Sequence, residues 1–349
     1  MAEMFELNYI NYLFSEKTSV TLRQMELIAE GKRTPSTLFT AEKNQLQALF
    51  LSSLSLSKSE WVDRMKKLSD LGWLTQEEGR YQITPSGQQS KKAFILNYPL
   101  LNCTLEMSDA LTRKEFWHWF IFVTQILSEF SYGNKGYIPY ISDRLTQNRI
   151  KKWLAEQGFP QKPLAVTWAD EIKAFLETLP DELGTFIVNQ MIGHNYEGMT
   201  KRQTAEKHGM TSLEVLLTTE ILMDRLSRFF EESDLLKSLW DTVHKSCHYG
   251  LSDSAYRSMT FLMNGSSIHS TAAIRKLKEN TVKEHVLEAV LISKYTGYKP
   301  LIPKEVYDQL RKLFLSEPSL SYAQAQQEIQ QLEFFWYRLV EIERIRGCL

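Results

Sequence analysis

Apolar residues recur at three- and four-residue spacing along most of the chain, and this period predicts a mainly α-helical protein. A clear instance runs from Ser57 to Leu74, S-K-S-E-W-V-D-R-M-K-K-L-S-D-L-G-W-L. There Trp61, Met65, Leu68 and Leu71 form one apolar face and Gly72 marks a C-terminal stop. The period then changes. Trp73 and Leu74, a turn at Glu78 and Gly79, and Tyr81 and Ile83 before Pro85 and Gly87 read as a short hairpin. A helix ending L-G-W-L ahead of such a hairpin has the layout of a winged helix, so residues 1–100 are expected to form a winged-helix-like domain.

Residues 101–178 are expected to be an aromatic-rich helical region, with the run F-W-H-W-F-I-F at Phe116 to Phe122 and an interrupting loop S-Y-G-N-K-G-Y-I-P-Y at Ser131 to Tyr140. Aromatic clusters can stack bases, but a run at helical spacing is expected in the core.

Two further stretches carry a helix-turn-helix layout. Between Tyr256 and Leu291, Ala272, Leu277 and Val282 fall five residues apart. A small residue in the second helix lets the third cross closely, an apolar residue plugs the turn, and a β-branched residue anchors the third helix. Ala205, Met210 and Val215 repeat the spacing, with Gly209 as the left-handed residue the bend prefers and Leu179-Pro180-Asp181-Glu182 opening the preceding helix. Residues 179–250 and 251–349 are therefore expected to form the second and third modules. The tail has a linker-like K-P-L-I-P after Tyr298, then expected helices over Lys304 to Leu315 and Ala323 to Arg346. Its stripe of Ile329, Leu332, Phe335, Trp336, Leu339 and Ile342 can dock on its own chain or on a partner, with Phe335, Trp336 and Leu339 the candidate partner-binding residues.

Charge decides which module could touch nucleic acid. The 349 residues hold 41 basic and 42 acidic side chains, so no whole-molecule field draws the protein onto phosphates and any such surface must be local. In the second module the third helix, Ser212 to Leu226, has Glu214, Glu220 and Asp224 against Arg225, a face expected to repel phosphates. In the winged segment Lys58, Arg64, Lys66, Lys67 and Arg80 are interleaved with Glu60, Asp63, Asp70, Glu77 and Glu78. In the third module Arg257, Arg275, Lys276, Lys278, Lys283, Lys294 and Lys299 stand against Glu279, Glu284 and Glu288. Its candidate nucleic-acid-binding residues are Arg275, Lys276 and Lys278 at the turn and Asn280, Thr281 and Lys283 at the start of the third helix. A solvated basic face on a protein-binding module remains the competing reading.

Cys103, Cys247 and Cys348 are odd in number and far apart, which points to a reducing compartment. With no run of about 18 apolar residues and no secretory pattern at the N-terminus, a cytoplasmic protein without a membrane partner is expected. No G-x-x-x-x-G-K-S/T phosphate loop occurs, nor a G-x-S-x-G elbow, H-E-x-x-H or paired-cysteine pattern. His244, Cys247 and His248 have no second ligand cluster, so neither a metal nor a cofactor nor catalysis is expected.

The third module resembles the helix-turn-helix at the end of many RecQ-type DNA helicases, through Gly265, Ser267, Ile268, Ala272, Arg275, Leu277, Thr281, Val282, His285 and Val286, departing at Thr271, where isoleucine is preferred. The second resembles the fourth region of bacterial sigma factors through its L-P-D opening and A-x-x-x-G turn. With L-I-A-E-G-K-R-T-P-S-T-L-F-T at Leu27 to Thr40, most of the chain resembles the YpbB-type proteins of low-GC Gram-positive bacteria, typically encoded beside a RecQ-like helicase. The resemblance implies a non-catalytic helicase-associated adaptor in DNA repair or recombination, with a RecQ-like helicase as partner and DNA as a further one. A helix-turn-helix transcription regulator binding duplex DNA is the alternative.

Overall fold

A computed structural model describes residues 2–229 and 233–349. As expected from the periodicity, it is mainly helical with one small sheet. The chain opens with α1 (Ala2–Leu13), β1 (Val20–Thr21), α2 (Leu22–Ala29), α3 (Pro35–Lys43), α4 (Lys58–Asp70), β2 (Leu74–Glu77) and β3 (Arg80–Ile83). The middle comprises α5 (Pro85–Asn97), α6 (Ala110–Ser131), α7 (Arg144–Glu156), α8 (Lys162–Glu177), α9 (Asp181–Val188), α10 (Lys201–His208), α11 (Ser212–Arg228) and α12 (Asp234–Ser246). The last part holds α13 (Asp253–Met263), α14 (Ile268–Arg275), α15 (Glu279–Ile292), α16 (Lys304–Ser316), α17 (Tyr322–Glu328) and α18 (Phe334–Ile345).

Many of these helices start where the sequence supplies a cap. Thr21, Ser57, Thr200, Thr211 and Ser321 each accept the amide three residues on while Gln24, Glu60, Gln203, Glu214 and Gln324 reach back to the cap's own amide. Each box satisfies two backbone donors that the helix leaves unpaired, and a cap contributes about 1 kcal/mol.

The chain divides into two compact units: Met1–Tyr12 with Pro85–Tyr249, and Leu13–Thr84 with Gly250–Leu349. In the first, α6 is the central helix and packs against α8, α11 and α12. Phe116, Trp119, Phe120, Ile121 and Phe122 are all buried, so the aromatic run belongs to the core, together with Trp153, Trp168, Phe175 and Trp240. Gly209, with φ +64°, ends α10 in the left-handed conformation the bend requires.

The acids of α11 do not form the outward face expected of them. Glu214, Glu220 and Asp224 are buried. Glu214 accepts from the Tyr98 hydroxyl (2.9 Å), Glu220 lies 3.7 Å from Lys114, and Asp224 pairs with Arg228 at 2.8 Å and lies 3.8 Å from buried Arg113. Of α11, only Ser212, Arg225 and Arg228 are exposed. This helix cannot enter a groove because it is covered on nearly every side, and its charges balance cations of its own unit instead of repelling phosphates.

In the second unit β3 lies between β1 and β2, both antiparallel to it, with Leu74 opposite Ile83 and Glu77 opposite Arg80. Glu78 (φ +48°) and Gly79 (φ +75°) close the hairpin as a two-residue turn whose twist suits the strands. Trp61, Met65 and Leu68 of α4 are buried as the apolar face predicts, but Leu71 is 44% exposed, since it caps the helix beyond the last packed turn.

The winged segment and the third module, far apart in sequence, share this unit. α15 packs against α13, α14, α3 and α18. The Arg346 guanidinium binds both carboxylate oxygens of Glu42, with Nη2 to Oε2 at 2.8 Å, and also donates to the Val290 carbonyl (2.9 Å). The Arg338 guanidinium lies 3.7 Å from the centre of the Phe39 ring. The long terminal helix expected from Ala323 is two helices: α17 ends at Ile329 in extended conformation, and Gln331 takes φ +58° before α18 begins. The apolar stripe survives the break because both pieces turn it inward.

Candidate nucleic-acid interface

The helix-turn-helix of α13, α14 and α15 is assembled by the residues that signalled it. Ala272 and Val282 are buried, Leu277 is half-buried with its amide bonded to the Ala272 carbonyl (2.9 Å), and the bend passes through Lys276 at φ +54°. A lysine in the left-handed region carries strain that glycine would avoid, and it places the side chain on the outside of the turn.

The candidate residues separate into two groups. Arg275 turns inward: it donates to the Ser254 carbonyl, to Ser254 Oγ (3.2 Å) and to Ser258 Oγ, binding the turn to α13. Lys283 is also engaged, with its ammonium on the Glu333 carboxylate and 5.9 Å from the centre of the Phe335 ring. Lys276 and Lys278 are exposed and have no ion pair among the described residues; Asn280 is exposed and Thr281 half-buried beside them. The basic surplus read from residues 257–299 therefore shrinks, because Arg257 pairs with Asp253 (3.0 Å) and Lys299 lies 3.8 Å from Glu343.

Sequence reasoning missed one feature of this end of α15. Its N-cap is Lys278, with no side chain accepting from the first turn. Serine, threonine, aspartate or asparagine would ordinarily stand there, so the lysine was the available signal. The Thr281 amide turns to the Lys278 carbonyl (3.0 Å), which leaves the Glu279 and Asn280 amides at the open end of the helix, where with the helix dipole they make a place for an anion. Glu279 in that turn is held by His269 Nδ1 at 2.7 Å, while Glu284 stays exposed.

Beneath the turn Ser258 links two titratable groups. It accepts from Arg275, and its Oγ is hydrogen-bonded to Nδ1 of buried His285 at 2.8 Å, a bond that either neutral tautomer of the imidazole can make. Burial, and then the Arg275 charge, pushes His285 down to a pKa of about 4. The unfolded chain therefore takes up the proton first, so His285 contributes fully above pH about 6.5 and progressively less as pH falls toward 4. Urea unfolding at pH 7 and pH 5 should show the wild type losing about 1–2 kcal/mol more than His285→Gln over that interval. Equal losses would contradict the neutral, buried imidazole.

The other candidates are placed elsewhere. Phe335 and Leu339 are buried inside the second unit, and half-buried Trp336 donates from Nε1 to the Leu301 carbonyl (3.0 Å), so their apolar area is used within the chain and not offered to a partner. In the winged segment Arg64 and Lys67 both bind Asp63 (2.6 and 2.8 Å), Arg80 donates to the Ser19 carbonyl (2.7 Å), and Glu77 and Glu78 are exposed at the hairpin tip. That leaves an acidic wing. His244 is bonded to Thr112 (2.9 Å) and lies 3.6 Å from Asp109, while burial raises the pKa of the Cys247 thiol. No helix among the described residues is long and apolar enough to cross a membrane.

Residues 254–341 match the family model of a helix-turn-helix domain. The match spans α13 to α15 and most of what packs on them. Over 266 residues the chain is 24% identical to Protein YpbB of Bacillus subtilis (strain 168), covering 75% of each protein. The chain is similar to Protein YpbB. The resemblance to the YpbB-type proteins and the helix-turn-helix read in the third module are thus borne out. No solved structure matches the chain.

Proposed function

We propose that the protein is a non-catalytic accessory factor that works on DNA with a RecQ-like helicase, in repair or recombination, and that it touches DNA through the turn between α14 and α15. The observation that carries the DNA contact is the N-terminus of α15, without a side-chain cap, flanked by exposed Lys276 and Lys278, which have no ion pair among the described residues. Cations and outward amides contact phosphates and set register without reading sequence. From His285 onward α15 is buried, leaving Asn280, Thr281 and Glu284 for base edges, too few for the extended readout a dedicated transcription regulator uses. The helicase association has its support in the resemblance of Gly265 to Val286 to the ends of RecQ-type helicases.

Deleting the tail is an unsuitable test, because α18 packs on α15 and its loss would unfold the unit. The full chain mixed at micromolar concentration with the RecQ-like helicase of the same genome is expected to elute with it in size-exclusion chromatography. Separate elution, with and without forked DNA, would overturn the helicase association.

A further inference from the structure

The loop Ser131 to Tyr140 in the first unit is pinned from below yet carries apolar side chains outward. Buried Gln125 on α6 donates to the Ile138 carbonyl (3.0 Å) and accepts the Tyr140 amide (2.8 Å). Buried Glu129, one turn further along, accepts from Asn134 Nδ2 (2.7 Å), whose Oδ1 accepts the Gly136 amide (3.0 Å). With its backbone fixed in this way, the loop leaves Tyr132 71% exposed and Ile138 88% exposed.

Each end of the loop meets a histidine. Tyr132 lies on His194 with ring centres 4.4 Å apart and planes at 21°, and His194 Nδ1 is 2.8 Å from Glu129. Tyr140 meets His118 edge to edge, with ring centres 6.1 Å apart, planes at 29° and its hydroxyl 3.0 Å from His118 Nδ1. Along α6 the positions that hold the pairs, His118 and Glu129, are separated by about 16 Å at the helical rise. Gln125, which holds the Ile138 carbonyl, lies between these two positions on α6.

The helix that follows is basic. From Ser131 to Gln157 the sequence holds Lys135, Arg144, Arg149, Lys151 and Lys152 against Asp143 and Glu156. Lys152 is paired with Glu156 (3.8 Å), and Asp143 caps α7 through the Thr146 amide (2.7 Å). Lys135, Arg144 and Lys151 are exposed without an ion pair among the described residues. Outward rings on a rigid support, exposed cations beside them and the spacing of several nucleotides are what an unpaired strand needs, since each base presents a face that duplex stacking would hide.

We propose that this loop and α7 bind single-stranded nucleic acid, with the Tyr132–His194 and Tyr140–His118 pairs stacking on bases and Lys135, Arg144 and Lys151 contacting the backbone. The surface is separate from the turn before α15 and does not rest on it. The test is fluorescence anisotropy of the full chain with labelled oligo-dT and, in parallel, with a duplex. Tyr132→Ala/Tyr140→Ala weakens oligo-dT binding about 10- to 100-fold and leaves duplex binding unchanged. Tyr132→Phe/Tyr140→Phe keeps the rings and stays close to wild type, while Lys135→Glu/Arg144→Glu lowers affinity and flattens its salt dependence. Oligo-dT affinity unmoved by the alanine pair, or a phenylalanine pair as weak as the alanine pair, overturns the proposal. So does a wild type that ignores oligo-dT at low salt, which would mark the loop as a protein-docking surface.

Discussion

Val282→Asp is expected to unfold the second unit, at a cost of at least about 4 kcal/mol in chemical denaturation. Val282 is completely buried on α15, the helix against which α13, α14, α3 and α18 all pack. A carboxylate there must either desolvate its charge or bind a proton against its ordinary pKa. Val282→Ala, which leaves only a small cavity, is expected to cost about 1–3 kcal/mol. A Val282→Asp protein within about 1 kcal/mol of wild type would show that α15 is not the core helix described above.

The second large effect separates residues that adjoin in sequence. Arg275→Ala removes the guanidinium that joins the turn to Ser254 and Ser258, so a loss of about 2–3 kcal/mol in stability is expected. Lys276→Ala and Lys278→Ala change exposed side chains without described partners and should stay within about 0.5 kcal/mol of wild type. If Arg275→Ala proved as stable as wild type, the internal role assigned to it would fall, and Arg275 would return to the outward, phosphate-facing group.

Elements governed by neighbours in sequence were legible in it. The Glu78–Gly79 hairpin, the bend at Gly209 and the small, apolar and β-branched triplet of the third module each depend on contacts a few residues apart. What was not legible depended on long-range packing. Glu214, Glu220 and Asp224 look like an acidic surface until Tyr98, Arg113 and Lys114 are brought against them. Lys283 looks free until Glu333 arrives from the tail. Phe335 and Leu339 look available until α18 folds onto the helix-turn-helix it follows. The break before α18 was missed for a related reason: its apolar spacing continues through Ile329 and Leu332, and Gln331 gives little warning of a positive φ. Net charge counted along a window therefore overstated the basic surface at the third module, which the fold reduces to Lys276 and Lys278 beside an uncapped helix end.

The most direct measurement is the salt dependence of duplex binding, by anisotropy on a labelled random-sequence duplex, for wild type and Lys276→Ala/Lys278→Ala. If both lysines sit on phosphates, the slope of log affinity against log salt becomes shallower by about 2, and affinity at low salt falls at least about tenfold, for any sequence used. An unchanged slope and affinity in a folded double variant would contradict DNA contact at this turn.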